Sequence, residues 1–517
     1  TSNLTGTPLT QSARGVSLAC FYLTLPAVGF FLKRLGLNRA QSWLVLASIL
    51  TCPLYIFYSR AFLIETMALM FSAWFAMGFV ETMRRRSWGW LGLTSLCGAA
   101  AGAVKVTTLM VFILPCAAWS VYLIFQSARI RQWAELSLRL RWGLATVLLP
   151  GLATIGWVRF ADGVKANHIQ AAVLTSESMT QFNFGYGLFD VRFAPETWRA
   201  IGEILHTGII AIPTAAVAVI AIAAVGGRWR PAALTSVGLF LAAPVIFPLL
   251  YAWHDYYFVA NAGFLMLGIG LLFAALWEKP AGRIIAPIAL LSLGASQAFT
   301  YQQGYYPTQA QRGANGSKVS FTLQELTQRN DVLIIIGDDW NSMVPYYAKR
   351  RALMIRRTYE NDLELVGQSI ANLQGESVPL FVLMRDQVGN EQLIALAERE
   401  LGISRHHYFE EESAHIYPTK ELLHRLLPED VLTSRAASPL SPSLYSTAHR
   451  FANQELGREI LNEKTALVFE SIKPLPHRFF FQFGPGLVEY GTDQVLNAHA
   501  TTRLWFELPA GKHRVAA

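Results

Sequence analysis

Between residues 16 and 300 the chain is a series of long apolar runs separated by short polar breaks. A bilayer core of about 30 Å needs about 20 apolar residues in a helix, within a range of about 17 to 25. Runs of that length predict helices over Val16–Leu32, Ser42–Tyr58, Phe62–Met83, Trp88–Val104, Thr107–Phe125, Trp142–Phe160, His206–Val225, Ala232–Tyr251, Tyr256–Trp277 and Ile284–Thr300, a bundle of about ten spans. After Tyr301 the pattern changes. The apolar run in Asp331–Gly337 predicts a buried strand, Val344–Arg351 a helix, Asn361–Leu373 a helix, Val378–Met384 a strand and Glu391–Leu401 a helix, with Ala352–Ile355 continuing the alternation. That order predicts a small doubly wound α/β domain over residues 301–425. From about Thr433 the segments Thr465–Glu470, Arg478–Phe483 and Thr502–Leu508, divided by Gly, Pro and Asn, read as strands of a β-sandwich-like segment over residues 433–517.

Composition agrees with two solvents in one chain. Of 517 residues 53% are hydrophobic and only 15% charged, against about 25% charged in an ordinary soluble domain. The net charge of +8 would admit nucleic acid as a partner. However, the basic residues of the first half sit in short clusters between apolar runs, where membrane topology accounts for them and nucleic-acid binding is not expected. The four cysteines, Cys20, Cys52, Cys97 and Cys116, lie inside apolar runs and read as small hydrophobes rather than ligands or a disulfide framework. With Thr1 first and a strand-like Gly511–Val515 last, the chain is expected to be a piece of a longer protein.

Alternating the loops places Lys33, Arg34, Arg39, Arg84, Arg85, Arg86, Arg129, Arg131, Arg139, Arg141, Arg228, Arg230, Lys279 and Arg283 on one side. By the positive-inside rule that side is cytoplasmic. A multi-pass protein of an inner (plasma) membrane is expected, with Thr1, the loop 161–205 and residues 301–517 extracytoplasmic.

Three turns on the outer side carry polar groups. Ser59-Arg60 follows Pro53, and Glu65 stands five residues into the returning predicted helix; Arg60 and Glu65 either form an ion pair that fixes two helix ends or face a wet cavity. Lys105 ends the small-residue run Gly98–Val104, which permits close helix packing and brings an ammonium to the same face. It either snorkels to the interface or meets a lipid phosphate. In Tyr251-Ala-Trp-His254-Asp255-Tyr256-Tyr257 the aromatics match an interfacial belt, while the His-Asp pair suits a phosphate, a sugar hydroxyl or a helix cap. Arg60, Lys105 and His254 thus converge as candidate binders of one anionic ligand. The loop 161–205, with Lys165, His168, Arg192, Phe182, Phe184, Tyr186, Phe189, Phe193 and Trp198, reads as a segment along the membrane surface that closes over the site or is a plain interfacial helix.

Ser59-Arg60 with Glu65 after Pro53, the Gly-Ala-rich helix ending in Lys105, and His254-Asp255-Tyr256-Tyr257 together resemble the GT-C-fold glycosyltransferases, in particular the protein O-mannosyltransferase and aminoarabinose transferase group, over about residues 10–300. The resemblance implies a GT-C-like membrane domain and transfer of a sugar from a polyprenyl-phosphate donor, at the extracytoplasmic face, to a lipid, glycan or protein acceptor. It also implies phosphate binding by Arg60 and Lys105 and donor contact by His254, Tyr256 and Tyr257; the shared outer face adds His254 to the candidate donor-phosphate ligands and Glu65 and Asp255 to the candidate donor or acceptor contacts. The family's catalytic carboxylate lies in an external loop after the first span, and no Asp or Glu precedes Glu65 here. The catalytic residue is therefore unassigned and expected upstream, no metal ligand is assigned, and dependence on a divalent metal is left open. Glu65, placed near a helix interior, is a poor substitute.

In the following domain, Asp338 and Asp339 end a strand where doubly wound folds bind ligands, but helix capping predicts them equally. No GxGxxG or phosphate loop is present. His406, His407 and His415 lack the carboxylates of a metal set. The tail resembles accessory carbohydrate-binding modules in outline only, and an inert structural domain fits as well. A transporter or flippase of lipid-linked sugars is the alternative function, but transporters place polar, broken helices near the midplane, and the polar groups here gather at one face.

Overall fold

A computed structural model describes residues 6–181, 187–311 and 318–426, and beyond them the backbone of seven strands between residues 454 and 516. The chain divides into two units, Thr1–Gln311 and Arg312–Ala517.

In the first unit the apolar runs are helices. Leu9–Leu35 ends at Gly36, whose φ of 86° closes the last turn, and Asn38 then caps Arg39–Leu50 through a reciprocal bond with Gln41. Glu65–Arg85, Trp88–Val104, Val106–Arg129, Trp133–Ala166, Ile212–Val225, Ala262–Trp277 and Gly282–Gln311 follow. Among the described residues six helices are long and apolar enough to cross a membrane, or seven if the bent pair Pro195–Ile209 and Ile212–Val225, with an angle of 87°, counts as one span; Trp88–Val104 and Ala262–Trp277 are shorter apolar helices.

Prolines break two expected continuous spans. Ser42–Tyr58 is interrupted before Pro53, which starts the short helix Pro53–Tyr58, and Ala232–Tyr251 is interrupted at Phe247, before the helix Pro248–Trp253. Proline supplies no amide and disfavours helical backbone in the residue before it. Carbonyls freed by the second break are not left bare: Arg192 Nη2 donates to Val245 O (2.5 Å) and Ile246 O (3.2 Å). Arg192 belongs to the short helix Phe189–Phe193, which the extended Ala194 separates from the helix Pro195–Ile204, whereas Phe182, Phe184 and Tyr186 lie outside the described residues.

The Gly-Ala run packs closely, as expected. A Cβ on Gly98 would come within 2.6 Å of Pro150 and 2.8 Å of Phe75, and one on Gly102 would overlap the Thr154 hydroxyl.

The second unit opens with the helix Lys318–Leu326 and builds a five-stranded sheet from β1 (Val332–Ile336), β2 (Arg351–Met354), β3 (Leu380–Met384), β4 (Phe409–Glu411) and β5 (Ala414–Pro418), in the order β2-β1-β3-β5-β4. β1 pairs parallel with β2 (Val332 with Arg351) and with β3 (Leu333 with Leu380), while β5 and β4 add an antiparallel edge. Leu333, Ile335, Leu380 and Val382 enter one core and Ile334, Ile336, Phe381 and Leu383 another, so both faces are covered. This is the expected doubly wound arrangement, and the helix Glu391–Leu401 has the expected bounds.

Toward the C-terminus β6 (Gln454–Leu461), β7 (Lys464–Ser471), β9 (Gly486–Tyr490), β10 (Gln494–Ala498) and β12 (Gly511–Ala516) pair antiparallel in the order β10-β9-β12-β7-β6, and β8 (Phe479–Phe483) pairs with β11 (Thr502–Phe506). The three strands expected there correspond to β7, β8 and β11.

Candidate functional site

Two residues singled out in the sequence share an uncommon backbone setting. Lys105 (φ −161°, ψ 102°) is the single extended residue between the helices Trp88–Val104 and Val106–Arg129, and His254 (φ −139°, ψ 116°) is the single extended residue between Pro248–Trp253 and the 3-10 turn Asp255–Val259. One-residue breaks of this kind fix a side chain at the end of two helices with little freedom left to it.

Lys105 Nζ lies 2.6 Å from Glu65 Oε1, with only 13% of the lysine side chain and 6% of the glutamate side chain exposed. The same ammonium sits 4.7 Å from the ring centre of Tyr256 and 4.1 Å from that of Tyr257. Desolvated cation–π contacts of this kind are worth about 2 kcal/mol. His254 stacks on Tyr256, with centroids 4.9 Å apart and planes at 15°. The structure therefore brings Glu65, Lys105, His254, Tyr256 and Tyr257 together.

It also corrects several expectations. Glu65 is the first residue of its helix rather than five residues inside it, because the chain from Arg60 to Ile64 is turn and bend. A carboxylate is favoured at that position by the unpaired amides of the helix N-terminus. No Arg60–Glu65 ion pair forms. Arg60 is exposed; its Nε donates to Ile56 O (3.0 Å) and its Nη2 to the Tyr301 hydroxyl (2.9 Å). Asp255 caps no helix through its side chain and does not bond His254. Its Oδ1 accepts from the Tyr58 hydroxyl (2.5 Å) and its Oδ2 from the Tyr305 hydroxyl (3.1 Å).

Tyr58 and Tyr305 are thus parts of the site that sequence reasoning missed. Tyr305 stacks on Phe57 at 4.5 Å and lies 6.3 Å from Tyr301, which connects Arg60 to Asp255 through a run of rings. Its signal was the Tyr301, Tyr305 and Tyr306 cluster just past the apolar run, where the helix Gly282–Gln311 continues beyond the predicted span. Below the turn, the Tyr55 hydroxyl donates to Val259 O (3.1 Å) and accepts from Gly263 N (2.7 Å), pinning the segment that carries His254 to Tyr257.

One carboxylate oxygen of the cluster, Glu65 Oε2, is buried without a hydrogen-bond partner among the described residues. Both oxygens of Asp255 are taken. No group of three or more His, Cys, Asp or Glu side chains placed to hold a metal occurs among the described residues.

In the second unit, Asp338 and Asp339 stand at the carboxyl end of β1, and neither caps the helix Met343–Ala348. Asp338 is buried, ion-paired with Arg385 Nη2 (2.5 Å) and bonded by Asn341 Nδ2 (3.1 Å). Burial raises its carboxyl above the ordinary range despite the guanidinium. Glu360, buried beside it, is raised by the same cause, which the Gly337 amide (3.0 Å to Oε1) only partly offsets. Asp339 accepts from Arg357 N (3.0 Å). His407 and His415 are held locally, by the Ser404 hydroxyl and the Tyr417 hydroxyl respectively.

The helices and the cluster at their ends define a multi-pass membrane protein whose cationic, acidic and aromatic groups converge on one set of turns. Residues 4–167, just under a third of the chain, match the family model described as dolichyl-phosphate-mannose-protein mannosyltransferase. The solved structure of ArnT from Cupriavidus metallidurans, bound to undecaprenyl phosphate, superimposes with a TM-score of 0.52 at 14% identity, over 81% of this chain and 86% of that one. The arabinofuranosyltransferase AftD from Mycobacteria aligns with a TM-score of 0.38 at 12% identity, over 100% of this chain and 54% of that one. Comparison with curated protein sequences gives no match. The fold is that of ArnT, and the likeness of the chain to the GT-C glycosyltransferases stands on the family match together with that fold.

Proposed function

We propose that this protein is a membrane glycosyltransferase that takes a sugar from a polyprenyl-phosphate donor at the extracytoplasmic face and passes it to a lipid, glycan or protein acceptor. The observation that carries the reading is the Lys105 ammonium, held by Glu65 at 2.6 Å over two tyrosine rings and beside His254. In such a transfer the acceptor oxygen bonds to the anomeric carbon, the bond from that carbon to the phosphate oxygen breaks, and the leaving phosphate gains negative charge. A fixed cation in a partly desolvated setting stabilises that charge where it develops.

Lys105 is the principal phosphate ligand in this reading, His254 a donor to the same group, and Arg60 a cation at the rim. Tyr256 and Tyr257 position Lys105 and offer hydroxyls to the sugar or the acceptor. Glu65 orients the ammonium, and its Oε2 remains available as an acceptor of a substrate hydrogen bond. Asp255, saturated by Tyr58 and Tyr305, shapes the turn. The undecaprenyl phosphate held by ArnT supports the donor class, and the gathering of polar groups at helix ends supports an enzyme over a transporter or flippase. The excess of basic residues in the loops at the opposite helix ends supports the extracytoplasmic placement of this site.

The test is sugar transfer by the full chain reconstituted in vesicles with a panel of polyprenyl-phosphate-linked hexoses and pentoses. Lys105→Ala is expected to lower transfer by about a hundredfold or more and Arg60→Ala by about tenfold, with membrane insertion retained. Undiminished transfer by Lys105→Ala would sink the assignment.

A further inference from the structure

A cavity of about 730 Å³ lies inside the helix bundle, and its walls are apolar side chains such as Val28, Phe112, Trp119 and Leu267. At one end it meets Tyr55 and Gly263; at the other it is bordered by Lys33, Arg34 and Arg84. Those three cations come from the last turns of the helices Leu9–Leu35 and Glu65–Arg85. An apolar chamber of this size with charged groups at one end is suited to an amphiphile.

The charges at that end are not balanced. Glu81, whose side chain is fully buried, receives Arg34 Nε (2.5 Å), Arg84 Nη2 (3.2 Å) and Arg85 Nε (2.5 Å). Three guanidiniums therefore share one carboxylate, and Lys33 makes no ion pair among the described residues. Between 31% and 49% of the Arg34, Arg84 and Arg85 side chains is exposed, so their outer nitrogens remain open to an anion.

From this geometry we infer that the cavity is a binding site for an anionic phospholipid, with the phosphate at Lys33, Arg34 and Arg84 and an acyl chain along the apolar walls. A free phosphate would use the cations and leave the walls without purpose. A polyprenyl chain bound with its phosphate at Lys105 would leave the cations at the far end unanswered. The basic loops place this end at the cytoplasmic leaflet, where anionic lipids are concentrated. The site is separate from the Lys105 cluster and does not depend on the function proposed for it.

The experiment titrates the full-length protein in mild detergent with phosphatidylglycerol, with phosphatidylcholine of the same chains, with inorganic phosphate and with a polyprenyl phosphate, reading bound lipid by native mass spectrometry. Phosphatidylglycerol is expected to bind one per protein and at least about tenfold more tightly than phosphatidylcholine. Lys33→Ala combined with Arg84→Gln, and separately Ala76→Phe, which narrows the chamber at a lining position, should each weaken that binding by about tenfold in protein that still folds. Equal affinity for the two phospholipids overturns the inference. So does unchanged binding in Ala76→Phe, which would put the headgroup on the surface alone, and so does mutual displacement by polyprenyl phosphate. Displacement by millimolar inorganic phosphate would equally show that the walls contribute nothing. The comparison of the two phospholipids stands on the unmodified protein, should either variant fail to fold.

Discussion

Lys105–Glu65 and Arg385–Asp338 are both ion pairs of about 2.5 Å at the ends of secondary-structure elements, yet they are built oppositely. In the membrane unit both partners are withdrawn from solvent, at 13% and 6% exposure; in the α/β unit the acid is at 3% and the guanidinium at 62%. A cation that stays in water gains little from its partner, because solvent screens the attraction. A cation taken out of water must be compensated on every side, and Lys105 is, by one carboxylate and two aromatic faces. Fixed, desolvated charge is what stabilises charge developing on a leaving group. The difference is the reason the membrane cluster, rather than the strand-end pair, carries the function proposed above.

Substitution of Lys105 should separate the two pairs most. Lys105→Ala leaves the Glu65 carboxylate buried without its partner, a cost of about 3–5 kcal/mol, so the unfolding midpoint in detergent should fall along with transfer. Adding Glu65→Gln should restore most of the midpoint but none of the transfer. If the double variant regained transfer, the cation would be a prop for folding alone.

A smaller effect is expected at Asp255. Asp255→Ala deprives the Tyr58 and Tyr305 hydroxyls of their acceptor, at about 1–3 kcal/mol for each buried donor left unsatisfied. Replacing both tyrosines by phenylalanine in that background should recover part of the loss in the same unfolding measurement. Failure to recover would mean that Asp255 acts on something other than these two rings.

The smallest effect belongs to the α/β unit. The Glu360 carboxyl is raised above its ordinary range by burial, so the folded state holds its proton more tightly than the unfolded chain does. Its contribution to stability is then largest at acid pH and is lost as pH rises through the folded value. Glu360→Gln should flatten that dependence and raise hydrogen-exchange protection of the β1 and β3 amides at neutral pH. A variant that loses protection at neutral pH would show that the charge itself is needed there.

Much of the helical pattern was legible because it is local. Trp88–Val104 and Glu391–Leu401 have the bounds the sequence predicts, since apolar periodicity and end residues such as Asn390, whose side chain caps the second helix, act within a turn or two of themselves. Two spans were predicted as continuous and are broken, at Pro53 and Pro248, because hydropathy counts apolar residues and does not register a missing amide. The strands of the α/β unit were legible as apolar runs, but their order was not. The sequence names β1, β2 and β3, while pairing puts β1 between the other two.

The amino-acid sequence was enough to separate a stretch of membrane-length apolar runs from a stretch of ordinary charge content, to show which residue types stand at the breaks between the runs, and to single out Arg60, Lys105 and His254. Only the tertiary structure decided their partners. Glu65 meets Lys105 across 40 positions and Asp255 meets Tyr58 across 197. Arg60, for which an ion pair with Glu65 was one of two readings, bonds a tyrosine 241 positions away. Hydropathy is a property of each residue and adds up along a chain. The environment of a buried charge is set by which helix ends close on one another, and that is settled by packing over the whole bundle.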